Sequence, residues 1–400
     1  MKSLIWSLEE KIHDLIDKHL FWVGIVIILV VTLLIRLHLM PITMLSGDYL
    51  NYLEPWVEYY QENGIIKGLS ENVGNYYVPY NLFLAIIAFL PGEPWRYIAG
   101  FSILCDYVSA YFIYLIAKMI LSENDCPFKR KRSVIVALVS LLLPAVLLNG
   151  ALLKQCDSVY TCFIIISIYY AMKKRYSLSL IMLGISFIFK LQAIYLFPVF
   201  IMLYIFRENR LSLFHFLWIP IMYLIGGLPA IFSGRRILDV YDIYWHQINS
   251  EGYNAMTIHM PNLYNFGLED YPALSLPAVL ITLCIFIFMA LTLQNYRSRL
   301  NGTTFLYLSI WCLWTCIMFL PAQHERYNFP VLILLTTFYL ITDIRKCWVA
   351  IIINIISCVL YGNLLFGCLP LDETIWAIFH LASYIYMTYD LLKLIKIKNI

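Results

Sequence analysis

Five short polar islands interrupt an otherwise apolar chain, and their residue types suit work on phosphates, protons and sugar hydroxyls. Ser46-Gly47-Asp48-Tyr49 follows the first apolar run. Its carboxylate can serve as a general base or can favour the start of a helix through the helix dipole. Lys154-Gln155-Cys156-Asp157-Ser158 lies between two apolar runs, so Gln155 and Asp157 either project into a cavity or cap the next helix. Phe189-Lys190-Leu191-Gln192 has no obvious turn residue, and a lysine there snorkels to the interface or holds an anion. Gln323-His324-Glu325-Arg326-Tyr327 follows Pro321; its histidine and arginine suit a phosphate, and a salt-bridged loop is the alternative. A zinc-protease reading of His324-Glu325 fails because position 328 is Asn328 rather than histidine. Arg235 and Arg236, with the stretch Tyr241–His246, can meet lipid headgroups or a pyrophosphate.

The elements that hold these islands are membrane helices. The chain of 400 residues is 62% hydrophobic and 13% charged, where a soluble domain carries about 25% charge. This excludes a nucleic-acid binder and a large soluble domain. Spans are expected at 21–40, 97–121, 134–150, 157–172, 177–189, 193–206, 212–232, 271–294, 303–319, 328–343, 347–366 and 375–392, with 177–206 a broken or tilted pair. The run 78–91 is short and bounded by proline, and is expected to lie in or dip into the outer face. With it non-crossing, Lys118, the Lys129–Arg132 cluster, Lys173, Lys174, Arg299, Arg345, Lys398 and most other basic residues fall on one side with both termini. By the positive-inside rule that side is cytoplasmic. Lys67, Arg96, Lys154, Lys190, Arg235, Arg236 and Arg326 fall on the other. The long connections, 41–96 and 233–270, are then both outer, and the aromatic spacing of 49–60 predicts a helix along the outer surface. The reading is one integral membrane domain over 1–400. The mixed-charge residues 1–20 do not read as a cleaved signal. The ten cysteines lie mostly in apolar runs and read as small packing residues, and Asp106 reads as a buried structural carboxylate.

In their order along the chain, these islands resemble the GT-C superfamily of polytopic glycosyltransferases. They resemble in particular bacterial relatives of the second mannosyltransferase of glycosylphosphatidylinositol (GPI) anchor assembly. The stretch His324–Tyr327 also looks like the histidine-glutamate motif of the glucosyltransferases of N-glycan assembly. The resemblance runs along 40–330 as short islands. It implies an all-α fold with about twelve transmembrane helices and surface helices in the first outer loop. It implies Asp48 as base, with Lys190, His324 and Arg326 on the donor phosphate, and no metal or other cofactor. Gln155, Asp157, Gln192, Glu325, Tyr327, Arg235 and Arg236 then serve the sugar, the acceptor or the support of the site.

The expected function is inverting transfer of a hexose from a polyprenyl-phosphate donor to a lipid-linked or cell-envelope glycan acceptor. Fixed cations would stabilise the charge growing on the leaving phosphate. The rivals are a polymerase or ligase using a diphosphate-linked oligosaccharide, and a flippase or transporter. The chain shows no internal repeat of the transporter kind. The expected partners are the lipid-linked sugar donor, the glycan acceptor and membrane lipids, without nucleic acid. The expected place is the plasma membrane with the site outward, or the endoplasmic reticulum membrane in a eukaryote.

Overall fold

A computed structural model describes residues 2–208, 210–249, 254–297 and 300–397; Arg299 and Lys398 lie outside the described residues. Helices account for nearly all of the regular structure, and among the described residues the only strands are two pairs of residues. This is an all-α multi-pass membrane protein. Each expected span coincides with a helix or a pair of short helices. In chain order these are α1 (Lys2–Leu39), α5 (Pro94–Glu123), α6 (Lys129–Leu142) with α7 (Pro144–Asn149), α8 (Asp157–Met172), α9 (Tyr176–Phe189), α10 (Phe197–Ile205), α11 (Trp218–Phe232), α14 (Tyr271–Gln294), α15 (Gly302–Phe319), α16 (Phe329–Thr342), α17 (Cys347–Phe366) and α18 (Glu373–Ile397). Among the described residues, six helical stretches are long and apolar enough to cross a membrane: Lys18–Leu39, Pro94–Glu123, Leu213–Phe232, Tyr271–Gln294, Gly302–Phe319 and Ile344–Phe366. The apolar helices α8, α9 and α16 have only 14 to 16 residues, short of the roughly 20 that a hydrocarbon core asks for.

Proline sets many of the boundaries. Pro55, Pro79, Pro94, Pro198, Pro272 and Pro330 each stand in the first turn of a helix, where the missing N–H costs nothing. Pro144 divides the expected span 134–150, because Leu143 before it is forced out of the helical region (φ −59°, ψ 129°). Helix α9 stops at Lys190, which is extended (φ −155°, ψ 132°), and a 3-10 turn at Leu191–Leu196 leads into α10. The break expected within 177–206 therefore falls on the lysine itself.

The core is built mainly from α5, α6, α8, α9, α15, α16 and α17. Helices α9 and α11 approach closely at Gly184, where an added Cβ would lie 2.9 Å from Met222 Cβ. In contrast, only 11% of the apolar stretch of α1 is buried. One buried ion pair ties it down. Arg36 is fully buried, and its guanidinium donates to Asp106 Oδ2 at 3.3 Å and to the carbonyls of Thr32 and Leu141. A charge at that depth needs such partners, so Asp106 is the structural carboxylate of the bundle.

The first long loop forms a layer of small helices. A π-turn at Tyr49–Leu53 runs into α2 (Glu54–Asn63), followed by α3 (Ile65–Ser70) and α4 (Val78–Ile87). The aromatic stretch after Asp48 is thus helical, and the run 78–91 holds a ten-residue helix, α4, packed on α2, α3 and α11. The second long loop carries α12 (Ile237–Tyr241), α13 (Ile243–Ile248) and strand β1 (Thr257–Ile258). Strand β1 pairs in parallel with β2 (Gln323–His324), setting Ile258 opposite His324.

Candidate functional site

The islands at Asp48, Gln155, Lys190 and 323–327 converge on one cavity of about 430 Å³ beneath the surface helices. That volume lies within the usual range for small-ligand sites. Behind its lining, in contact with Lys190 and Arg326, is Asp157, the first residue of α8 and fully buried. Its carboxylate meets side chains from three other segments. Lys190 Nζ pairs with Oδ1, Asn149 Nδ2 donates to Oδ2 at 3.0 Å, and Arg326 Nε stands 3.7 Å from Oδ2. Asn149 also donates to Tyr361 Oη of α17 at 2.8 Å. The ammonium of Lys190 lies between the rings of Tyr160 and Tyr327, 5.3 and 5.0 Å from their centroids. Snorkelling is excluded, because this lysine is buried and spent on a carboxylate.

Asp48 sits at the upper rim with 40% of its side chain exposed. It too makes no capping bond to the turn that follows it. It accepts from the Gln155 amide and pairs with Arg326 Nη2 at 3.2 Å. The loop bearing Asp48 is held from below. Ser46 Oγ donates to the Leu153 carbonyl at 2.7 Å, and Lys154 Nζ donates to the carbonyls of Ile42 and Leu152, both at 2.8 Å. Lys154 is fully buried, and burial lowers its pKa to about 8. It is a strut rather than a ligand-facing cation.

Arg326 gathers three carboxylates: Asp48, Asp157 and Glu325, the last at 2.7 Å. Burial works against its charge, yet these carboxylates hold its pKa well above the ordinary value. Burial alone would raise Glu325, but Arg326 and His324 beside it bring its pKa down to about 2. His324 Nδ1 lies 3.6 Å from Glu325, and its ring packs edge-on against Tyr327. The loop keeps this shape because Ala322, at positive φ (56°), donates its N–H to Ala255 and Met256 carbonyls, and β2 pairs with β1.

The opposite wall is aromatic. Tyr52, Trp56 and Tyr76 follow one another at ring-centroid distances of 6.0 and 5.9 Å. Gly74, at φ +67°, lies against the Trp56 ring, and a Cβ there would come within 2.4 Å of it. These residues were missed as site residues, because tyrosine and tryptophan in a membrane protein read first as interface anchors. Asn149 and Tyr361 were missed for want of any local motif, and α17 showed no expected role.

Three expected residues lie elsewhere. Gln192 is buried outside the cavity, and its Oε1 has no hydrogen-bond partner among the described residues. Arg235 is buried by the surface helices and donates to the Asp239 carbonyl at 2.9 Å; burial lowers its pKa. Arg236 is 80% exposed beside Asp239. Among the described residues, no three His, Cys, Asp or Glu side chains are arranged so that they could hold a metal ion.

Fold and site together define a class: a multi-pass, all-helical membrane protein with an ion-paired, aromatic-walled pocket under one face. Residues 65–247, less than half of the chain, match the model of a family described as GPI transamidase subunit PIG-U. The match contains Gln155, Asp157, Lys190, Gln192, Arg235 and Arg236, while Asp48 and 323–327 lie outside it. No curated protein matches the chain.

This finding corrects the functional expectation. The matching family is described as a transamidase subunit, not as a glycosyltransferase moving a hexose from a polyprenyl phosphate. The assignment as a hexosyltransferase falls, and with it the lipid-linked sugar donor and glycan acceptor as partners. In the pocket itself each cation faces a carboxylate: Asp48 pairs with Arg326 at 3.2 Å, and Lys190 pairs with Asp157.

Proposed function

We propose that this chain is a membrane subunit that holds the sugar-inositol headgroup of a GPI-type lipid for a partner that performs the transamidation. The observation that carries this reading is the make-up of the cavity. Rings of Tyr52, Trp56 and Tyr76 face Asp48, Gln155, Glu325 and Arg326 across about 430 Å³. Flat rings opposite carboxylate and amide groups suit a polyhydroxylated ring, which offers C–H faces and O–H edges. A GPI lipid is also the common term between the matched family and the relatives that the polar islands resemble.

We further propose twelve crossings, both termini on one side and the pocket on the other. In support, every expected span is helical, and the basic clusters gather at the end of the bundle away from the pocket. Helices α8, α9 and α16 are short but pack inside the bundle rather than against lipid.

The test uses purified protein in nanodiscs, titrated with a glycosylated phosphatidylinositol and with plain phosphatidylinositol. The glycosylated lipid should bind saturably and more tightly. Trp56→Ala and Gln155→Leu should each weaken it about tenfold, the scale of one or two lost contacts. Equal binding of both lipids, unaffected by either substitution, would sink the proposal.

A further inference from the structure

A second site lies at the far end of the bundle from the pocket. Helices α1, α5 and α6 enclose an apolar groove of about 200 Å³. Ile25 and Leu29 line it from α1, Tyr107 and Tyr114 from α5, Val134 and Leu138 from α6. Its mouth is basic. Arg130 stands over the Trp22 ring at 4.7 Å and Lys131 over the Phe21 ring at 5.2 Å. Lys118 stands over Tyr114 at 5.8 Å.

The spacing places cations one helical turn outside the groove on α5 and α6, and an aromatic ring in the same place on α1. Trp22 precedes Ile25 by three residues, Arg130 precedes Val134 by four, and Lys118 follows Tyr114 by four. The apolar stretch of α1 begins at Lys18, so Phe21 and Trp22 mark the membrane–water boundary on this side. Lys118, Arg130 and Lys131 are exposed, and none makes a salt bridge among the described residues. Arg132 differs: its guanidinium turns into the bundle and donates twice to the Leu340 carbonyl, at 2.8 and 3.2 Å. Three exposed cations at a boundary, above a hydrocarbon-lined groove open to the bilayer, complement a phosphate ester carrying acyl chains.

We propose that this groove is a binding site for an anionic phospholipid. One acyl chain lies between α1 and α6, and the headgroup rests on Lys118, Arg130 and Lys131. The lipid thereby seals the sparsely packed α1 to the bundle. This site is independent of the pocket reading.

The experiment is native mass spectrometry of the full chain, released from membranes containing equal phosphatidylserine and phosphatidylcholine. Wild type should retain one phosphatidylserine in preference. Arg130→Gln with Lys131→Gln should lower that preference about thirtyfold, since each basic residue near a membrane surface contributes about fivefold. Ala137→Phe should expel the lipid with all charges in place, because Ala137 lines the groove. Lys173→Gln with Arg175→Gln, at a separate exposed basic loop, should change nothing. Equal retention of both lipids by wild type would overturn the site. So would an equal loss from the Lys173 and Arg175 substitutions, which would mean diffuse surface attraction. A groove filled instead by a partner protein's helix would show as no retained lipid in wild type, and that also overturns it.

Discussion

Asp157 is the residue that holds Lys190 and Arg326 of the pocket lining from behind. A buried carboxylate is tolerable only when its charge is matched and its lone pairs are filled, and Lys190, Asn149 and Arg326 do both. Asp157→Asn should therefore cost about 3–5 kcal/mol, by stranding a buried ammonium. Lys190→Met combined with it should cost much less than the sum of the two singles, as partners in one network do. Thermal unfolding in detergent measures both, and strict additivity would show that the pair is not coupled. Glu325 gives a pH signature. Its folded pKa of about 2 lies below the ordinary 4.5, so its contribution is complete above 4.5 and drains away as pH falls towards 2. That contribution is roughly 3 kcal/mol. Glu325→Gln should flatten the acid limb of a melting-temperature profile between pH 5 and 3 relative to wild type; unchanged profiles would refute the pairing. At this scale the sequence shows which residues are chemical but not whom they meet. Lys190 and Asp157 are 33 residues apart, Gln155 and Asp48 are 107 apart. Both carboxylates stand at helix starts, where capping and site roles look alike until the donors are seen.

At the scale of elements, apolar runs and prolines made the helices readable, and the surface helix after Asp48 with them. What periodicity could not carry was closeness. Gly184 in α9 reads as an ordinary helical glycine, yet it is where α11 comes nearest. A Cβ there meets Met222 Cβ at 2.9 Å and Ile219 Cα at 3.3 Å, neither at the free end of a side chain. Gly184→Val should push the two helices apart and cost about 1–3 kcal/mol, the usual scale of overpacking. Gly100, with open space at its Cβ position, is the control: Gly100→Ala should be neutral or slightly stabilising. Equal melting temperatures for Gly184→Val and wild type would show that α11 yields freely. The ladder between β1 and β2 was equally hidden, because two residues leave no period to detect. It is nonetheless what fastens the second outer loop beside His324.

For the molecule as a whole, composition alone establishes a multi-pass membrane protein, but the number of crossings turns on helices too short to be decided by length. Two native cysteines separate the possibilities. Cys126 follows α5, and Cys368 follows α17. If only the six long stretches cross, those at Leu213–Phe232, Tyr271–Gln294, Gly302–Phe319 and Ile344–Phe366 lie between the two thiols. That is an even number, so both thiols face the same side. With all twelve crossing, the paired α6 and α7, then α8, α9, α10 and α16, add five passes, and the thiols face opposite sides. Most other cysteines are buried, and Cys284, though exposed, lies within an apolar stretch that faces lipid. A membrane-impermeant maleimide applied to sealed, oriented vesicles should therefore modify Cys368 from the pocket side and Cys126 only after the vesicles are opened. Cys126→Ser and Cys368→Ser assign the two labels. Modification of both from one side would remove the twelve-pass arrangement.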